Sequence, residues 1–136
     1  MLHRILITRL DRAPVPDRHH DLAWLCTSIG LSSGRDTEYI ALQVVQALIE
    51  RIAGEENGVP VELIAADLGI APARVNHHLR HLVDAGIVFR RNRRIFLRGG
   101  SLYATVRELR RDVNRVFDDI EESARELDDL YGIPNR

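Results

Sequence analysis

Between residues 74 and 94 the chain reads RVNHHLRHLVDAGIVFRRNRR: three histidines, six arginines and a single acid, Asp84. Two kinds of chemistry fit such a set. His77 and His81 stand four apart with Asp84 three further on, so on a helix all three point one way. Imidazole and carboxylate together make a partial site for zinc or nickel. Grouped with Arg74, Asn76 and Arg80, and followed by Arg90, Arg91, Asn92, Arg93 and Arg94, the same histidines would instead face a polyanion.

The metal alternative is short of ligands. The one cysteine, Cys26, lies far away in DLAWLCTSIGL, and no histidine follows His81. Arg74 and Arg80 would repel a dication at this place. No metal and no cofactor is expected. A lone cysteine also excludes an internal disulfide, and among apolar neighbours it reads as a buried structural thiol. Catalysis finds no support either. The chain has no glycine-rich phosphate loop and no serine in a nucleophile setting, and Cys26 has no basic neighbour to lower its pKa. His3, His19 and His20 lie outside the basic stretch and carry no assigned role.

The net charge of −1 conceals an uneven distribution. Residues 71–98 hold seven arginines against one acid, whereas residues 35–70 hold two arginines against seven acids. A basic block in an acidic body suggests a localised anionic partner. The chain has no lysine, and arginine is the better fork for phosphates and guanine edges. Apolar residues make up 45% of the 136, enough for one modest core, and no run approaches the roughly 18 needed to span a bilayer. The start, MLHRILITRLDRAPVP, lacks the long apolar core and cleavage site of a secretory signal, so a cytoplasmic protein without membrane contact is expected.

The elements that must position these residues follow from pattern. RILITRL suggests a short strand, DRAPVPDRHH a loop, and DLAWLCTSIG a short helix with Asp21 as N-cap and Gly30 as stop. Trp24 and Leu25 read as packing residues. Ser33, with Asp36 three on, resembles a capping box, and Ile40, Val44, Leu48 and Ile52 then form one apolar stripe. VPVELIAADLG predicts a helix with Pro60 in its first turn and Leu63, Ile64 and Leu68 inward. IAPARVNHHLRHLVDAG predicts another, opened by Pro72 and closed by Gly86. Val75, Leu79 and Leu82 share a narrow arc that must face the core. Ala73, Arg74, His77, Arg80, His81 and Asp84 lie opposite. IVFRR and RIFLR around Asn92-Arg93 predict a β-hairpin. Last comes one long helix in which Leu102, Val106, Leu109, Val113, Val116, Ile120, Leu127 and Leu130 keep a coiled-coil spacing, with Ser123 the single miss.

Two short helices joined by a glycine turn, then a hairpin, is the order of a winged helix-turn-helix. The stretch ELIAADLGIAPARVNHHLRHLVDAGIVFRRNRRIFL resembles the winged helix of the ArsR-type bacterial and archaeal transcription regulators. The resemblance rests on Ile64, Ala65, Leu68, Gly69, Val75, His77, His78, Leu79, Leu82 and the run Ala85 to Val88, and it covers roughly residues 38–100. Metal sensors of that type commonly use thiolates in the helix-turn-helix or a histidine-acid set on the last helix, and this chain has neither.

The expectation is therefore a mainly α fold with a small β-hairpin wing and a long C-terminal dimerisation helix. Residues 1–34 would form an arm, 35–100 the DNA-binding domain and 101–136 the pairing helix. The function expected is that of a homodimeric transcription regulator that binds double-stranded DNA and is not an enzyme. Residues 72–85 would read the major groove. Residues 87–98 would meet the phosphates and minor groove. The alternative is a winged helix used as a protein-interaction module in a transcription or replication assembly, for which a basic recognition face is unnecessary.

Overall fold

The structure, a computed structural model, describes residues 7–11, 18–29 and 40–136. Its elements run α1 (Arg18–Ser28), α2 (Ile40–Ile52), β1 (Val59–Pro60), α3 (Val61–Leu68), α4 (Pro72–Asp84), β2 (Val88–Arg91), β3 (Arg94–Leu97), a 3-10 turn at Arg98–Gly100, and α5 (Leu102–Tyr131). The three strands form one antiparallel sheet in the order β1-β3-β2.

The core assembles from apolar positions at helical and strand periods. Val44 and Leu48 of α2, Ile64 of α3, and Val75, Leu79 and Leu82 of α4 are all fully enclosed. Ile95 and Leu97 of β3 close it from the wing, and Leu109 from α5. Each large aliphatic buried this way contributes about 1.5–3 kcal/mol over its exposed state. As the pattern predicted, Ile64 is buried, while Leu63 and Leu68 pack only partly against the core. Cys26 of α1, 2% exposed, joins the same core, with Leu22 and Leu25 packed beside it. Burial pushes its thiol up to about 11.

The turn between α3 and α4 sets the angle of the basic helix. Gly69 adopts φ 66°, and the Ile70 and Gly69 N–H groups donate to the carbonyls of Ala65 and Ala66 at 3.1 and 3.3 Å. This pair satisfies the last carbonyls of α3 as a Schellman closure does. Pro72 then opens α4, where its missing N–H costs nothing. Outside the turn, Arg51 of α2 grips Asp67 of α3 with a two-pronged ion pair whose Nη2–Oδ1 arm is 2.7 Å long. That hydrogen bond holds the Asp67 carboxyl below the usual carboxylate range.

Several expectations are corrected. Pro60 is not in the first turn of α3 but caps it, and with Val59 forms β1, which pairs with Arg94 and Ile95. An edge strand tolerates a proline because one side needs no donor. α1 starts at Arg18, so Asp21 lies within its first turn, where the helix dipole favours an acid, rather than at its cap. Residues 7–11 are not a strand. Their backbone turns to α1 instead: the Thr8 N–H donates to the Ser28 carbonyl at 2.8 Å, and the Trp24 indole N–H to the Leu10 carbonyl at 3.1 Å. The expectations for residues 4–6, Gly30, Ser33 and Asp36 lie outside the described residues.

α5 begins cleanly. Ser101 accepts the Ala104 N–H on its hydroxyl at 3.1 Å, and Thr105 and Leu109 are buried. Past residue 113 every position except Asp128 is exposed. At 1.5 Å per residue its 30 residues reach about 45 Å, so the helix runs well beyond the core it helps to close.

Candidate nucleic-acid interface

On α4 the division anticipated from spacing is the one observed. Val75, Leu79 and Leu82 are buried, and Ala73, Arg74, His77, Arg80, His81 and Asp84 are exposed. The His77 ring meets His78 and His81 edge-on, with centroids 5.2 and 5.3 Å away. The small Ala73 and Pro72 leave the N-terminal end of the helix open to close approach. Asn76 sits at the margin of this face, half-buried, and its Oδ1 is enclosed without a hydrogen-bond partner among the described residues.

The wing adds a second basic surface. Asn92 and Arg93 occupy the two-residue turn with φ 53° and 64°. Positive φ at both central positions matches the twist of the flanking strands. Arg90, Arg91, Asn92 and Arg93 are exposed. On the outer face of the hairpin Phe89 and Phe96 stack with centroids 5.0 Å apart and planes 7° from parallel. The Arg91 guanidinium lies 5.6 and 5.9 Å from the two ring centres. That cation–π contact restricts Arg91 before any partner arrives.

Arg94 and Arg98 of the wing have polar partners inside the chain. Arg94 is half-buried and donates to the Gly58 carbonyl at 3.1 Å, bracing β3 against the loop before β1. Arg98 forms ion pairs with Glu108 and Asp112 of α5, each at 2.7 Å. No acid interrupts the wing arginines in sequence, but in space α5 supplies two.

Along α5, Leu102, Val106 and Val113 are half-buried and Leu109 belongs to the core. Leu102 lines a half-open apolar cavity of about 470 Å³ with Leu22, Leu25 and Ile49. Val116, Ile120, Leu127 and Leu130 are 51–76% exposed, and Phe117 and Tyr131, which the heptad spacing passed over, stand exposed with them. Among the described residues no three histidine, cysteine or acidic side chains gather as a metal site. None of the described helices is long and apolar enough to cross a membrane.

A helix-turn-helix that presents an arginine–histidine face, followed by a basic hairpin, defines a winged-helix DNA-binding protein. Residues 61–89, from α3 into β2, match the family described as bacterial regulatory protein, arsR family. The match covers the helix-turn-helix rather than the whole chain, and an ArsR-type helix-turn-helix supports a DNA-binding transcription regulator. No curated protein and no solved structure matches the chain.

Proposed function

We propose that the protein is a sequence-specific regulator that binds double-stranded DNA as a homodimer. α4 enters the major groove, which is wide enough for a helix, and Arg74, His77, Arg80 and His81 meet base edges there. Arg90, Arg91, Asn92 and Arg93 of the wing meet phosphates and the adjoining minor groove. Asn76 and Arg94 contribute less than their types suggested, since one is half enclosed and the other braces the fold. The exposed apolar row on the outer half of α5 is the pairing surface. Residues 35–100 then act as the DNA-binding unit, 101–136 as the pairing helix and 1–34 as an arm.

The observation that carries this reading is the exposed basic face of α4, held at a fixed angle by three enclosed side chains. The test is selection of bound fragments from genomic DNA by the purified protein. A two-fold dimer should recover an inverted repeat with half-site centres about one helical turn, roughly 34–36 Å, apart. Recovery of unrelated fragments with no shared repeat would count against it.

A further inference from the structure

We infer that Arg98 is a positioning residue for DNA binding: it clamps the root of the wing to the first turns of α5, and that clamp sets the direction in which the wing arginines reach phosphate. The inference rests on the DNA-binding reading above and adds to it a residue whose type alone would have placed it on DNA.

The attachment is threefold. Glu108 and Asp112 stand four apart on α5 and offer both carboxylates to one guanidinium, Nε to Glu108 and Nη1 to Asp112, each at 2.7 Å. The Asp112 hydrogen bond, reinforced by the charge of both acids, holds the Arg98 pKa above its ordinary value. The backbone of the same residue is fixed at both ends. Its N–H donates to the Ile87 carbonyl at 3.0 Å, and its carbonyl accepts the hydroxyl of the buried Thr105 at 2.5 Å. Next to it Gly99 has φ 75°, and a Cβ there would fall 2.7 Å from that of Ala104, so the chain passes hard against α5.

Two consequences follow. With two acids beside it, Arg98 adds nothing to the attraction the wing exerts on an anion. The root it holds also controls a lever. Four residues of β3 separate it from the tip, about 13 Å at 3.3 Å per residue. A swing of about 10° at the root displaces Arg93 by about 2 Å, enough to break a hydrogen bond of normal length.

The experiment exploits a difference in sign. Glu108→Gln with Asp112→Asn preserves side-chain shape and makes each chain more positive by two. If Arg98 were a DNA-facing residue held in check by acids, this variant would bind DNA more tightly. The positioning role requires the opposite, a fall of about three- to tenfold in affinity with a shallower salt dependence, by about 0.9 for each phosphate no longer neutralised. Arg98→Gln should weaken binding to a similar extent, and adding it to the double variant should cost little more, because the three share one interaction. Affinities are measured on the full chain well below each variant's unfolding midpoint. Tighter or unchanged binding by the double variant, with the wild type binding DNA, overturns the inference alone. A wild type that binds no DNA overturns the DNA-binding reading as well.

Discussion

Replacing Val116 and Ile120 together by aspartate should abolish pairing while leaving the domain intact. The two side chains are 56% and 55% exposed, so covering what remains gains about 1 kcal/mol each, given about 1.5–3 kcal/mol for full burial. A two-fold pair contains each twice, which makes about 4 kcal/mol of apolar burial forgone in the variant. Carboxylates set into an apolar pairing surface would add their own desolvation cost. At 1.4 kcal/mol per decade the dissociation constant should rise by about a thousandfold or more. Sedimentation equilibrium across micromolar concentrations should show dimer for the wild type and monomer for the variant. The variant should still unfold in one cooperative transition, since neither side chain reaches the core, but at a lower midpoint that no longer depends on protein concentration. Substitution is a cleaner test than ending the chain near Gly100, which would also remove the buried Thr105 and Leu109. A variant that remains a dimer would refute the assignment and move the pairing surface to α1 or the residues before it.

Other expectations follow from particular residues. Arg93→Gly should relieve a positive φ of 64° and raise the unfolding midpoint by about 3 °C, for about 1 kcal/mol, yet weaken DNA binding; lower stability would show that the turn is not strained. Cys26 has a thiol raised from its ordinary 9.0 to about 11, so the folded state holds that proton more tightly than the unfolded chain. Its contribution to stability is complete below about pH 9 and is lost as pH climbs toward 11. A Cys26→Ala variant, measured by midpoint against pH, should lose less over that interval, and thiol reagents should label wild type only in denaturant. Treatment with a chelator should leave DNA affinity unchanged. Stoichiometric zinc or nickel that survives dialysis and disappears in His77→Ala with His81→Ala would return those side chains to a metal.

What could be read in the sequence was whatever repeats at a regular period. Val75, Leu79 and Leu82 recur at four and three, so the buried arc of α4 and the exposed face opposite it were visible in the spacing alone. The hairpin was equally legible, because two apolar runs flank Asn92-Arg93. β1 was not, since two residues carry no period. The wing charges were legible in type but not in role. Arg94 finds a carbonyl 36 residues earlier and Arg98 a carboxylate 14 residues later, and a count of charges along a segment does not register partners across a turn. Thr105 gave no signal at all. Its burial follows from the hydroxyl bonds to Arg98 and Ser101, which let a polar side chain close the joint between wing and helix.

The central claim is that α4 reads bases while the wing holds phosphates. The most direct measurement is the affinity of wild type, of His77→Ala with Arg80→Ala, and of Arg91→Ala with Arg93→Ala, each against a selected fragment and a random one at two salt concentrations. The wild type should prefer its selected fragment by at least about a thousandfold. The α4 variant should narrow that preference by about 1–3 kcal/mol for each base edge left unread. The wing variant should weaken both complexes alike and flatten the salt slope by about 0.9 for each phosphate no longer neutralised. Loss of discrimination in the wing variant, with the α4 variant losing only bulk affinity, would contradict the assignment.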